Sequence, residues 1–344
     1  MKVGMISLGC TKNLVDSETA LGLFKDAGYA FTGDPAEADV LMVNTCGFIG
    51  PAKEESIDTI LEMAQYKQTG NCKLLVVTGC LAQRYEKALM EEIPEIDLLM
   101  GVNQYDQLVG AVDAAMKDHK RRSLCGVKNT FLEHDRVLTT PGYTAYIRIG
   151  DGCSNRCTYC AIPLIRGNYR SRPMEDVMSE VRRFAAQGVK EHIMIAQDTT
   201  RYGTDWQEKS LLPELMAQAA EVPGVEWLRV LYAYPERITD EFIAALVRKK
   251  KGDGELEFAM VCVPGGLPRV VELPCQEGKS IIYLEEVIER NIDKLFLNYD
   301  IISCHPFRVM RNADLSIDED EAEDLLKEIE QKLKKRQWGE VIRL

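Results

Sequence analysis

The cysteines are the residues of this chain whose type and spacing could do chemistry. Cys153, Cys157 and Cys160 stand as C-x3-C-x2-C within Gly150-Asp151-Gly152-Cys153-Ser154-Asn155-Arg156-Cys157-Thr158-Tyr159-Cys160, directly after a strand-like run. Three thiols this dense, in a chain that opens on a strand pattern rather than a secretory leader, point to a metal and not to a disulfide framework. A structural zinc site closes with four ligands, usually as paired C-x2-C units. A cubane iron–sulfur cluster draws thiolates from a short loop, and three protein ligands leave one iron open to a chelating molecule. A cluster, a zinc ion and plain loop cysteines are the three readings, and the spacing favours the first.

Cys10, Cys46 and Cys80 are far apart in sequence, and singly each reads as a buried core thiol. Their local settings change this: Leu8-Gly9-Cys10, Asn44-Thr45-Cys46 and Thr78-Gly79-Cys80 each end a strand-like run. In an open α/β sheet the carboxyl ends of neighbouring strands share one edge, where ligands bind. Three thiols converging there would make a second three-thiolate site, or a site for some other ligand of a flavodoxin-like sheet. Lys12, Asn13 and Asn44 could orient these loops or serve as turn and cap residues, and Asp16 or Ser17 reads as a cap of the first helix. Cys72, Cys125, Cys262, Cys275 and Cys304, and His119, His134, His192 and His305, lack metal-ligand spacing and read as structural.

The elements that must carry these residues alternate in the manner of a parallel sheet. Strands are expected at Lys2 to Leu8, Val40 to Asn44 and Leu74 to Thr78, with helices near Leu14 to Ala27, Pro51 to Gln65 and Tyr105 to Met116. This N-terminal α/β domain spans 1–120. A polar stretch, 121–142, reads as a linker. A second alternating unit, 143–249, has strands at Ala145 to Ile149, His192 to Ala196 and Trp227 to Tyr232, with helices at Met174 to Gln187, Leu211 to Glu221 and Thr239 to Arg248. After Lys249-Lys250-Lys251-Gly252 the rhythm breaks, and 254–344 reads as a small α+β segment ending in a charged helix near Asp318 to Arg336.

The two cysteine sets together resemble the radical S-adenosylmethionine methylthiotransferases. The match is specific at Ser7-Leu8-Gly9-Cys10-Thr11-Lys12-Asn13-Leu14-Val15-Asp16-Ser17-Glu18, Asn44-Thr45-Cys46-Gly47-Phe48-Ile49, Ala52-Lys53-Glu54-Glu55-Ser56-Ile57, Arg166-Gly167-Asn168-Tyr169-Arg170-Ser171-Arg172 and Ile195-Ala196-Gln197-Asp198-Thr199-Thr200-Arg201-Tyr202-Gly203. These look like the branch that modifies ribosomal protein twelve of the small subunit. The resemblance covers about 1–249 and implies two [4Fe–4S] clusters, one on Cys153, Cys157 and Cys160 and one on Cys10, Cys46 and Cys80. It implies S-adenosylmethionine on the open iron, with Tyr159 and Gln197 beside it, and a 5′-deoxyadenosyl radical that takes hydrogen from an aspartate β-carbon before a methylthio group is transferred. An electron donor such as flavodoxin or ferredoxin is implied too. The alternatives are a methylthiotransferase acting on tRNA and a cluster-binding chimera without catalysis.

The tail resembles another protein. Phe258-Ala259-Met260-Val261, Leu267-Pro268-Arg269 and Phe307-Arg308-Val309-Met310-Arg311-Asn312-Ala313-Asp314-Leu315-Ser316 look like an internal piece of polyphosphate kinase. The kinase's phosphate-handling histidine lies in later domains, so His305 inherits no role and no kinase activity follows. On this resemblance the radical barrel is expected to be incomplete, with about three βα units and slow or absent turnover; the other reading of the tail is a divergent barrel end.

Composition narrows the partners. Lys and Arg total 42 against 54 Asp and Glu in 344 residues, a net charge of −12, which opposes binding through bulk attraction to nucleic-acid phosphates and suits a basic protein. Hydrophobic residues at 46% and charged residues at 28% describe a globular chain. No run approaches the ~20 apolar residues of a membrane span, and a cytoplasmic location is expected.

A division of labour between the cysteine sets follows. Cys153→Ala should abolish reductive cleavage of S-adenosylmethionine, whereas Cys10→Ala should spare cleavage and remove only sulfur transfer. Quantifying 5′-deoxyadenosine and methylthiolated product for each variant checks this; identical behaviour of the two would refute it.

Overall fold

The computed structural model describes residues 1–126, 131–239, 242, 270–273, 280–292, 310–311 and 341–343. The chain falls into two compact units, Met1–Leu211 with Gln218–Tyr232, and Leu212–Ala217 with Ala233–Leu344.

The first unit opens with a six-stranded parallel sheet of order β2-β1-β3-β4-β5-β6, made of β1 (Lys2–Ser7), β2 (Ala30–Phe31), β3 (Val40–Thr45), β4 (Leu74–Gly79), β5 (Leu98–Met100) and β6 (Arg122–Leu124). Its first five strands run in the flavodoxin-like order. Strands β3 and β4 are buried along their whole length, and their successive side chains go to opposite faces. Val40, Met42 and Val76 meet Phe24 of α1 (Thr11–Asp26) and Leu108 and Val112 of α5 (Leu108–Asp118). Leu41, Val43, Leu75 and Val77 meet Ile60 and Met63 of α2 (Gly50–Thr69), Leu81 of α3 (Cys80–Arg84) and Leu89 of α4 (Glu86–Glu92). Continuous apolar runs are what a sheet covered on both faces requires.

A second parallel sheet, of order β11-β10-β7, consists of β7 (Thr144–Arg148), β10 (Glu191–Ile195) and β11 (Trp227–Val230). The amphipathic α7 (Met174–Ala186) buries Val177, Val181 and Phe184, and α8 (Leu212–Ala220) precedes β11. Among the described residues β11 ends this sheet. The three strands and the helices α7 and α8 have the boundaries expected from sequence to within about two residues.

Helix α1 lies between the sheets. Val15 packs with Ile193 and Ile195 of β10, while Ala20 and Phe24 face the first sheet. Being covered on several sides, it buries polar residues too: Lys12, Asn13, Asp16, Ser17, Glu18 and Thr19. Asp16 and Ser17 are therefore interior positions. The helix starts at Thr11 with Cys10 as its N-cap, so neither of the two is the cap expected from sequence.

The stretch 121–142 is more than a polar connection. Arg122–Leu124 is β6, paired in parallel with β5, and the Arg121 guanidinium donates to the carbonyls of Met90, Ile93 and Ile96, capping the end of α4. Further on, the Arg136 side chain is 2% exposed and donates to Glu18 Oε2, Glu180 Oε1 and the Tyr146 carbonyl, each at 2.7 Å. Glu18 Oε1 accepts from the Thr139 amide at 2.8 Å, and Glu180 also pairs with Arg172. Arg121 and Arg136 satisfy a helix end and buried acceptors, a use that composition alone does not reveal.

Of the second unit, the described residues form an antiparallel pair, Val270–Leu273 with Ser280–Tyr283, a helix at Leu284–Glu289 and an antiparallel pair of Met310–Arg311 with Val341–Arg343. The charged helix expected near Asp318 to Arg336 and most of the one expected at Thr239 to Arg248 lie outside the described residues, as do Cys262, Cys275, Cys304 and His305.

Glu180 makes stability depend on pH. Burial alone would push its carboxyl up, but the Arg136 and Arg172 guanidiniums outweigh burial and hold it at about 2. A carboxyl lowered on folding stabilises above its unfolded value, roughly 4.3, and loses that contribution as pH falls toward 2. Urea unfolding of the wild type should show stability falling below about pH 5. Glu180→Gln should be less stable at pH 7 and shallower in its pH dependence; equal slopes would refute the assignment.

Candidate functional site

Strands β1, β3 and β4 are neighbours, with Ser7 opposite Asn44 and Thr45 opposite Gly79. Cys10, Cys46 and Cys80 therefore leave the sheet at one edge. Cys10 is exposed, Cys46 partly covered and Cys80 buried.

Each of these cysteines adjoins a glycine, and the reason is space. Gly9 has φ +92°, and a Cβ there would lie 2.8 Å from the Cys46 Cβ and 3.2 Å from its Sγ. Gly79 has φ +99°, and its Cβ would meet Asn44 Oδ1 and the Thr45 carbonyl at 2.4 Å. At Gly47 the obstruction is the Leu81 backbone at 2.9 Å. The loops approach so closely that only hydrogen fits between them, and the Gly-Cys and Cys-Gly pairs are a sequence signal that marks the convergence.

The Asn13 carboxamide ties the three loops together. Its Nδ2 donates to the Leu8 carbonyl at 3.1 Å and the Thr45 carbonyl at 2.9 Å, while its Oδ1 accepts from Cys80 Sγ at 3.5 Å. Asn44 reaches back to the Asn13 carbonyl at 2.7 Å and Ser17 Oγ at 2.8 Å, and Ser56 Oγ accepts from the Cys46 amide at 3.0 Å. Lys12 is buried with its Nζ over the Tyr232 ring.

The second set, Cys153, Cys157 and Cys160, follows the short strand β8 (Gly150–Asp151), which pairs with β9 (Arg170–Ser171). Gly152 has φ +75°, and a Cβ on it would strike the Asn168 carbonyl at 2.2 Å. The Cys153 amide donates to the Gly167 carbonyl at 3.1 Å, and the Cys160 amide to the Cys157 carbonyl at 3.0 Å. Cys153 is buried, its two partners less so. Tyr159 is 81% exposed. Gln197, just past β10, donates to Asp151 Oδ1 at 3.0 Å, and its own Oε1 is buried without a hydrogen-bond partner.

Between the two sets lies a buried cluster of charge that the sequence reading did not single out. Helix α6 (Ile162–Arg166) begins two residues after Cys160 and ends at Arg166, 1% exposed. This guanidinium donates to Asn13 Oδ1 at 3.0 Å, Asp16 Oδ2 at 2.7 Å and Asp151 Oδ1 at 3.3 Å. Arg148 pairs with Asp16, and Arg170 approaches Asp151 at 3.6 Å. Burial works against the charge on Arg166, yet Asp16 and Asp151 raise its pKa well above the ordinary value. Burial would raise the Asp151 carboxyl, but Arg166, Arg148 and Arg170 hold it below its usual range.

The thiols behave as candidate ligands without metal. Burial pushes Cys80 up to about 11, against the opposing charge of Arg166, and also raises Cys46 and Cys153. Protonated at neutral pH, such thiols deprotonate when a metal supplies compensating charge. Among the described residues no three His, Cys, Asp or Glu side chains are drawn round one point as a single ion needs. A cubane sets each thiolate on a separate iron, and a trio of sulfur donors with a buried guanidinium beside it suits that group. Cys72 and Cys125 sit apart in the core of the first sheet, and His192 is a core residue, in keeping with their structural reading.

The chain resembles known proteins in three overlapping stretches. Residues 2–101 match the model described as Uncharacterized protein family UPF0004, residues 147–284 the Radical SAM superfamily, and residues 237–344 the Polyphosphate kinase middle domain. Among solved structures, the radical S-adenosylmethionine methyltransferase TsrM from Kitasatospora setae aligns with 72% of this chain and 57% of its own, at 15% identity and a TM-score of 0.48. Proteins named ribosomal protein uS12 methylthiotransferase RimO are much nearer in sequence. That of Clostridium tetani is 53% identical over 252 residues, 73% of this chain and 56% of the relative, so the chain spans little more than half the length of that protein. That of Clostridium botulinum strain Loch Maree is 52% identical over 308 residues, 89% of this chain and 68% of the relative. With identity of this order over that share of the botulinum protein, the chain belongs to the ribosomal protein uS12 methylthiotransferase family.

Proposed function

We propose that the chain transfers a methylthio group to the β-carbon of an aspartate in ribosomal protein uS12, using S-adenosylmethionine and two [4Fe–4S] clusters. Cys153, Cys157 and Cys160 would hold one cluster and Cys10, Cys46 and Cys80 the other. When bound, these groups supply one-electron chemistry and a sulfur donor, which acid–base side chains cannot provide at an unactivated carbon. The single observation that carries the reading is the delivery of Cys10, Cys46 and Cys80 from three separate loops to one sheet edge, packed so closely that glycine is required beside each.

The chain's own residues have the tasks of binding, orienting and keeping water out. Gln197 is held by Asp151, two residues before Cys153, and has an unsatisfied buried oxygen, which suits contact with a polar group of S-adenosylmethionine. Tyr159, 81% exposed, offers its ring to the adenine. The buried salt bridges around Arg166 keep both cysteine sets in fixed relation. The −12 charge favours encounter with a basic ribosomal protein, in the cytoplasm, where flavodoxin or ferredoxin could supply electrons. The domain reading is an N-terminal α/β domain over 1–120, a connection over 121–142, a partial radical barrel over 143–249 and a kinase-like segment over 254–344. Because the Polyphosphate kinase match takes in residues 237–344 and the Radical SAM match ends at 284, the barrel is read as incomplete and turnover is expected to be slow.

Anaerobic reconstitution should load about eight irons per chain, the content of two cubane clusters, and about four in Cys10→Ala or Cys153→Ala. Mass spectrometry of uS12 should then find one methylthio group on a single aspartate, formed slowly. Stoichiometric zinc in place of iron would refute the cluster assignment, and a methylthiolated tRNA with unmodified uS12 would refute the substrate.

A further inference from the structure

We infer that Arg166 couples the two cysteine sets, so that an occupied Cys153–Cys160 loop tightens the hold of Cys10, Cys46 and Cys80 on their own cluster; this rests on the two-cluster reading above. Arg166 belongs to the second loop by two ties. It ends the helix that starts just after Cys160, and the carbonyl of the next residue, Gly167, accepts from the Cys153 amide at 3.1 Å. Its side chain, however, serves the first site. It donates to Asn13 Oδ1 at 3.0 Å, on the same carboxamide that donates to the carbonyls of Leu8 and Thr45 and accepts from Cys80 Sγ.

The order of contacts is continuous. A loop fixed around its cluster fixes α6, α6 fixes the guanidinium, and the guanidinium orients Asn13, a side chain that touches all three loops of the other site. The bonds to Asp16 Oδ2 at 2.7 Å and Asp151 Oδ1 at 3.3 Å fix the guanidinium from both sides, because Asp16 lies on the helix that follows Cys10 and Asp151 on the strand that precedes Cys153. Linkage is reciprocal, so the first site must steady the second by the same factor. Arg166 is a positioning residue in this scheme.

The test is a double-mutant cycle on the reconstituted full-length chain. An iron chelator is added anaerobically, and the exposure of Cys10, Cys46 and Cys80 is followed by alkylation and peptide mass spectrometry. Cys153→Ala, which empties the second loop, should speed exposure of the first set roughly tenfold, within the range of coupling between linked sites. Arg166→Gln should show the fast rate with or without Cys153, so that the effect of Cys153→Ala vanishes. Arg166→Lys, which keeps the charge but cannot bridge Asn13, Asp16 and Asp151 together, should fall between. Asn13→Ser cuts the same connection without leaving a buried carboxylate exposed to desolvation, and should reproduce Arg166→Gln with unchanged far-ultraviolet circular dichroism. In the Cys153→Ala background, the electron paramagnetic resonance spectrum of the remaining reduced cluster should also change on Arg166→Gln. Equal exposure rates in wild type and Cys153→Ala, or a Cys153→Ala effect that persists in full without Arg166, would overturn the inference while leaving the clusters in place. A wild-type chain that takes up no iron would instead overturn the cluster reading on which the inference stands.

Discussion

A guanidinium with 1% of its surface in water, held between two carboxylates, is the interaction on which the rest of this structure depends. A buried charge is costly, and removing one partner of such a pair costs about 3–5 kcal/mol because the other is left uncompensated. Arg166, Asp16 and Asp151 therefore stabilise the fold as a set, with Arg148 and Arg170 as further partners of the two carboxylates. Each comes from a different element, α6, α1 and β8, and each element carries or adjoins a cysteine of interest. Once the charges are matched, little freedom is left in how the cysteine loops stand to one another. Arg136, between Glu18 and Glu180, repeats the device on the same helix α1 and extends it to the connecting stretch.

This arrangement explains a helix that looks unpromising in sequence. Thr11–Asp26 has no clean apolar stripe, because it is covered by more than one layer and uses Asn13, Asp16, Ser17 and Glu18 to satisfy its neighbours. Its burial is stabilising only because those groups find partners, since an unsatisfied buried polar group costs about 1–3 kcal/mol. The chain has placed its polar residues where two sheets must be held in register, and its apolar ones, such as Val15 and Phe24, where either sheet offers a hydrophobic face.

Much of the architecture was legible in sequence. Strand-like runs at Val40 and Leu74 are too apolar for anything but a sheet covered on both faces, and the positions of Cys10, Cys46 and Cys80 at strand ends predict that they leave the sheet at one edge. Short elements were less so: α3, α4 and β5 are only 5, 7 and 3 residues long, too brief for periodicity to show. The charged connections were hidden for a different reason. Arg121 and Arg136 look like solvent-facing residues of a linker, and nothing local distinguishes an arginine in water from one aimed at a carbonyl or carboxylate distant in sequence. Arg166 and Asp16 are separated by 150 residues, so their meeting is a property of the tertiary structure.

The glycines beside Cys10, Cys46 and Cys80 carry a consequence for how this site can change over time. With 2.4–2.9 Å to the nearest atoms, the inner rim has no room for even one methyl group, so natural drift and laboratory redesign are both shut out of it. Diversification has to enter from the outer side, at open positions such as Phe48, Ile49 and Leu164. Descendants of this chain would thus keep the cradle and remodel its doorstep.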